Sequence, residues 1–82
     1  MPPEVEYKES VERDLRKIDK KQITRILDKL EEVLSKDPNA GEALKGQYKG
    51  LYKLRVGEYR VMYAKTKIGV LIVRIRHRGK AY

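Results

Sequence analysis

The hydrophobic period of this chain changes once, and that change limits the folds open to it. From residue 20 to 35, apolar side chains recur at spacings of three and four: Ile23, Ile26, Leu27, Leu30, Val33, Leu34. That spacing predicts an amphipathic helix. From residue 51 onward the period drops to two. "LYKLRV", "YRVMYA" and "VLIVRIR" read as strands over residues 51–56, 59–64 and 70–76. Short connections at Gly57-Glu58 and "KTKIG", 65–69, leave room only for antiparallel neighbours, so the three strands form a meander.

The first half adds a short strand and a first helix. "PEVEY", 3–7, places Val5 and Tyr7 on one side of a short strand. Ser10 can cap a helix over residues 11–18, where Val11, Leu15 and Ile18 share a face. Asp19 with Gln22 has the form of a capping box for the second helix. "KDPNAG", 36–41, stops that helix, because the residue before Pro38 is pushed out of helical angles. The expectation is one α+β domain over residues 1–82: a short strand, a helical hairpin and a three-stranded meander, with the helices on one sheet face.

A chain of 82 residues buries only about 60% of its unfolded surface. It has no cysteine, so neither a disulfide nor a thiolate metal site braces that thin core. No apolar run reaches membrane-spanning length and no signal-peptide core is visible, which makes the cytosol the expected compartment.

Register sorts the strand residues. A two-residue turn at Gly57-Glu58 sets Val56 opposite Tyr59, Leu54 opposite Val61 and Tyr52 opposite Tyr63 on one face. The other face carries Arg55 opposite Arg60, Lys53 opposite Met62 and Leu51 opposite Ala64. A one-residue slip would scramble that segregation. In the last strand Leu71, Val73 and Ile75 share one parity, and Val70, Ile72, Arg74 and Arg76 share the other, which Arg78 continues. The sheet is expected to have a packed face, holding Tyr52, Tyr59 and Tyr63, and a basic open face.

Charge points the same way. Residues 1–44 carry 9 Lys/Arg against 11 Asp/Glu, a net of −2; residues 45–82 carry 11 Lys/Arg against Glu58 alone, a net of +10. The two account for the chain's +8. With a single acid in the basic half, the cations have no salt-bridge partners close in sequence, and a polyanion is the expected partner. Arginine forks take phosphate oxygens in pairs, and clustered cations stabilise a phosphodiester under attack. Lys53, Arg55, Arg60, Arg74, Arg76 and Arg78 are candidates, with Lys45, Lys49 and Lys80 as further RNA contacts and Tyr48 and Tyr82 as rings for a base to stack on.

One histidine, no cysteine and two serines, both in the helical half, argue against a metal centre and a Ser-His-Asp arrangement. Gly46 and Gly50 lack P-loop spacing. The enzymatic option is a reaction without metal or cofactor. RNA brings its own nucleophile, the 2′-hydroxyl, and asks only for positioning, proton transfer and cations. His77 is a candidate acid or base, although its parity follows Ile75 and packing at the sheet edge is the simpler reading.

"LKGQYKGLYKLRVGEYRVMY", followed by an apolar strand and "RHRGKAY", resembles the RelE/ParE superfamily of toxins from toxin–antitoxin systems. The resemblance covers essentially the whole chain. It implies first the RelE branch, ribosome-dependent endonucleases that cut mRNA in the A site without metal; the alternatives are the ParE branch, inhibitors of DNA gyrase, and a catalytically weak basic RNA-binding homologue. It implies that Lys53 lines the scissile phosphate, Arg60 stabilises the transition state, Arg78 protonates the leaving group and Tyr82 stacks on the base. His77 falls on a histidine of variable role. Arg55 stands where RelE enzymes often have a lysine implicated in proton abstraction. A guanidinium is a poor base, so Lys53 becomes the candidate acceptor, with His77 as substitute. The resemblance also implies a cognate acidic antitoxin of RelB type, competing with mRNA for the same charges.

Overall fold

The change of period marks the passage from helix to sheet. The structure is a computed structural model and describes residues 3–79. Its elements are β1 (Glu4–Tyr7), α1 (Glu9–Leu15), α2 (Lys20–Leu34), β2 (Glu42–Ala43), β3 (Leu51–Val56), β4 (Tyr59–Lys65) and β5 (Gly69–His77), with a 3-10 turn at Gly46–Tyr48. The strands form one mixed sheet in the order β1-β5-β4-β3-β2. β1 runs parallel to β5, and the other neighbours are antiparallel. The architecture is the expected α+β one, with the two-residue β2 as an addition. Lys80 and Tyr82 lie outside the described residues.

The β3–β4 hairpin has the expected register from Leu51↔Ala64 to Val56↔Tyr59. Gly57 takes a φ of 58°, which suits the first central position of a primed hairpin turn.

Three local expectations change. The first helix spans Glu9–Leu15 rather than 11–18, and Lys8 holds its N-cap position. Ser10 lies inside the first turn, where its hydroxyl donates to the Val73 carbonyl at 2.6 Å. Asp19 does cap the second helix, but its backbone carbonyl accepts the Gln22 and Ile23 N–H groups, and no side-chain cap bond forms. Third, the register between β4 and β5 shifts at Met62/Tyr63, opposite an extra residue, Val73. A bulge flips alternation beyond it. Ile72 and Ile75 therefore both lie in the core, while Leu71 pairs with Ala64 on the open face. Strict parity along β5 had put Leu71 with Ile75.

The core joins Val11, Ile26, Leu30 and Leu34 of the helices to Val56, Val61, Tyr63, Val70, Ile72 and Ile75 of the sheet. Burying each such side chain contributes about 1.5–3 kcal/mol. Tyr52 and Tyr59 pack half-buried against this cluster. The fully buried Tyr63 does a second task. Its hydroxyl donates to Pro38 O and accepts the Gly41 N–H, each at 2.9 Å, and so ties down the loop between α2 and β2. A β-carbon at Gly41 would come within 2.7 Å of both Lys53 O and the Tyr63 hydroxyl, so only glycine fits.

β1 stops pairing with β5 at Tyr7↔Ile72. Beyond that point α1 takes over the edge with side chains: Ser10 bonds Val73 O, and Asp14 accepts the Ile75 N–H at 2.9 Å. This covers backbone groups that an unpaired strand edge would expose.

Candidate functional site

On the open face the register builds rows across the sheet. Arg55, Arg60 and Arg76 stand side by side on β3, β4 and β5. The next row is Glu42, Lys53, Met62 and Arg74, and the one after is Leu51, Ala64 and Leu71. Neighbouring strands lie about 4.8 Å apart, so the three arginine backbones span about 10 Å. Lys53, Arg55 and Arg60 line one open concavity of about 490 Å³, together with Ala40, Glu42 and Leu54. Beside it is a smaller groove of about 210 Å³ lined by Tyr48, Leu51, Met62, Val73, Arg74 and Arg76. The open face is thus a cationic basin next to an apolar one. Lys45 and Lys49 are exposed on either side of the 3-10 turn that carries Tyr48.

The expected shortage of carboxylates is corrected by the fold. Asp14, only 7% exposed, reaches from α1 to accept Arg74 Nε and Nη2, each at 3.0 Å, and lies 3.7 Å from Arg76 Nε. Burial by itself raises the Asp14 pKa. The Arg74 hydrogen bonds, the Ile75 amide and the charges of Arg74 and Arg76 outweigh it and hold the carboxyl below the usual range. Glu42 Oε2 is 3.7 Å from Lys53 Nζ. Glu58 Oε2 is 3.6 Å from both His77 Nε2 and Arg78 Nε. Two of these three acids, Asp14 and Glu42, come from residues 1–44, far in sequence from the cations they meet.

His77 does not join the basin. It pairs with Tyr59 on the packed side of the sheet, and the two rings meet edge to face at 5.4 Å. Its Nδ1 accepts the Gly79 N–H at 3.2 Å. Arg78 follows in the turn, its backbone N–H bonded to Glu58 O at 2.8 Å. That places it at the hairpin-turn end of the sheet, the end that also carries the row of three arginines.

The model of a known family, the ParE toxin of the parDE type II toxin–antitoxin system, matches residues 5–82. The chain belongs to the ParE toxin family. Solved structures place that family membership within the RelE/ParE superfamily. The RelBE2 toxin–antitoxin complex of Mycobacterium tuberculosis contains a chain 27% identical to this one, with a TM-score of 0.88, over 95% of this chain and 100% of that one. The archaeal RelE–RelB complex of Pyrococcus horikoshii OT3 gives 27% identity and a TM-score of 0.71, over 99% of this chain and 100% of that one. An E. coli RelE mutant bound to an antitoxin peptide shares the fold at 23% identity and a TM-score of 0.71, over 94% of this chain and 84% of that one. No curated protein sequence matches. Among the described residues of this ParE-family toxin, no helix is long and apolar enough to cross a membrane.

Sequence reasoning missed Asp14 and Glu42. A weak sign of Asp14 was present: it sits three residues after Val11, at the border of the apolar stripe of α1. A two-residue strand leaves no periodicity, so Glu42 had no sign of that kind.

Proposed function

We propose that this toxin is an endoribonuclease that cuts mRNA on the ribosome by attack of a 2′-hydroxyl on the adjacent phosphodiester. The observation that carries this reading is the meeting of Lys53, Arg55 and Arg60 in one concavity on the open face. Arg55 and Arg60, directly opposite each other, are suited to clamp the phosphate between two guanidinium forks. They oppose like charge at some cost to the hairpin, and a bound phosphate removes that cost. His77 lies on the other face, so the proton acceptor belongs to the groups that line the concavity. Tyr48 in the neighbouring groove is placed to support a base. In this reading the protein works in the cytosol, and an acidic antitoxin covers the same open face. Toxins of this fold from Mycobacterium tuberculosis and Pyrococcus horikoshii have been solved in complex with their antitoxins.

The family match favours a second reading, gyrase inhibition of the ParE kind. One experiment separates the two. A defined mRNA is translated with the purified toxin and cuts are mapped by primer extension, while a gyrase supercoiling assay runs in parallel. Ribosome-linked cuts support the nuclease, with Arg60→Ala and Lys53→Ala each lowering the rate about 10²-fold. Gyrase inhibition without cuts establishes the second reading. Full cutting by both variants refutes the site.

A further inference from the structure

The smaller groove beside the concavity is lined by the apolar side chains of Leu51, Met62 and Val73 and by Tyr48, Arg74 and Arg76. Its volume of about 210 Å³ gives room for one base. The bulge shapes it. Val73 is the extra residue of β5, so Val73 and Arg74, consecutive in the chain, both line the groove. Side chains of α1 hold the bulge in place, Ser10 through the Val73 carbonyl and Asp14 through Arg74.

Asp14 takes Arg74 from the side. Nε and Nη2 each donate one hydrogen bond to the buried carboxylate, both at 3.0 Å. A guanidinium has five N–H groups, so three remain, two on Nη1 and one on Nη2. One from each of these nitrogens points away from the stem, and the two run parallel. Among the described residues that pair of donors has no partner, and the Arg74 side chain is 38% exposed. Asp14 already balances the charge, so a phosphate gains less here than at Lys53, Arg55 and Arg60. A neutral base edge with two adjacent acceptors fits the pair better. The buried carboxylate has fixed the fork beforehand, so little side-chain freedom is lost when a base binds.

We infer that this groove is a base-selecting subsite for guanine, in which Arg74 reads O6 and N7, Tyr48 stacks on the ring and Asp14 positions the fork. The inference rests on the nuclease reading and assigns it a preferred nucleotide beside the cut. Guanine presents N7 and O6 as adjacent acceptors, whereas adenine has an amino group in place of O6 and sets a donor against a donor. Uracil has no two acceptors side by side. Cytosine has N3 and O2, on a single ring that covers less of the apolar floor. Unpaired RNA bases expose all these edges and stack on aromatic rings. Lys53, Met62 and Arg74 are neighbours in one row across the sheet, so the groove adjoins the concavity that takes the phosphate. The base it holds therefore belongs to a nucleotide flanking the cut.

The test varies each nucleotide flanking the cut in a defined mRNA on programmed ribosomes and measures single-turnover cutting. Affinity is measured separately with oligodeoxyuridylate, which cannot be cut, carrying one variable nucleotide. Guanine at one flanking position is expected to exceed the other three bases by about 5- to 150-fold, the discrimination of one bidentate contact. Inosine keeps N7 and O6 and should behave as guanine does. 7-Deazaguanine lacks the N7 acceptor and should lose the advantage, a readout made on the unaltered protein. Arg74→Lys keeps the charge without the fork and should abolish the preference, while Tyr48→Ala should weaken all four bases alike. An equal response to guanine and adenine overturns the inference, as does a preference for cytosine or an undiminished response to 7-deazaguanine. A toxin that binds guanine selectively but cuts nothing would end the nuclease reading and leave the groove with its base; one that neither cuts nor selects ends both.

Discussion

Replacing Asp14 by asparagine tests the joint between the helical hairpin and the sheet. The carboxylate accepts Arg74 Nε, Arg74 Nη2 and the Ile75 N–H, all within 3.0 Å, and Arg76 Nε lies at 3.7 Å. Asparagine keeps the shape and one acceptor oxygen. It loses the charge, and it turns an N–H group toward one of those donors. A hydrogen bond to a charged group contributes about 1.5–3 kcal/mol, and a buried donor left unsatisfied costs about 1–3 kcal/mol. Arg74 is 38% exposed, so water screens part of the effect. The expected loss is about 2–3 kcal/mol. In a domain of this size that is a fall in Tm of about 10–20 °C, read by circular dichroism.

The same pair sets a pH dependence. The folded pKa of Asp14 lies below its ordinary value, so its stabilisation is complete above the unfolded pKa, about 3.9. It is lost as pH falls through the folded value. The gap in Tm between wild type and Asp14→Asn should be constant from about pH 7 to 5 and close progressively below about pH 4. A cycle with Arg74→Gln should give a coupling of about 1–3 kcal/mol. A gap within about 2 °C at neutral pH, or one that stays constant down to about pH 2, refutes the reasoning.

Other predictions follow from single contacts. Tyr63→Phe leaves the Gly41 N–H and Pro38 O without their partner and should cost about 1–3 kcal/mol in urea unfolding, with faster hydrogen exchange at Gly41. Gly41→Ala should destabilise the fold by more than about 1 kcal/mol, because its β-carbon meets the Lys53 carbonyl; an unchanged midpoint would show that β2 can move aside. Binding of single-stranded RNA with a 2′-deoxy cut site should weaken with salt, each contacted phosphate adding about 0.7 to the log–log slope. Arg55→Ala and Arg60→Ala should each reduce that slope, and equal slopes in all three proteins would remove the clamp.

The β3–β4 hairpin was legible because both faces are strongly sorted. Any slip would bury Arg55 or Lys53, so only one register agrees with burial. α2 was legible because six apolar residues keep one stripe through four turns. The bulge at Val73 was not legible, because alternation is a local rule and a bulge depends on the partner strand. Val70 and Ile72 have the parity of Arg74 and Arg76 in the sequence but face the core in the sheet. For the same reason the acids that meet the basic face were invisible. Asp14 is 60 residues from Arg74 in the chain, and only the placement of α1 against β5 brings them together. The site cations could be gathered on one face by register, but the balance of charge around them is a tertiary property.

That balance divides the basic half of the chain into two parts. At the β5 edge, a buried carboxylate with three hydrogen bonds holds Arg74 and lies close to Arg76. These arginines weld a helix to an open strand edge, and an anion drawing them away would leave Asp14 and the Ile75 amide unsatisfied. At the other side of the sheet the restraints are looser. Glu42 and Lys53 form an exposed pair at 3.7 Å, a separation that solvent screens well. Arg55 is exposed and has no ion pair among the described residues, and it borders the concavity opposite Arg60. Recruiting a cation for a phosphate costs less where no buried bond must be broken first. In the nuclease reading the basin at β3 and β4 is therefore the better seat for the anion, although β5 carries as many arginines. On that reading the net charge of +8 draws the polyanion to the surface, and the uneven strength of the internal ion pairs selects its place on the sheet.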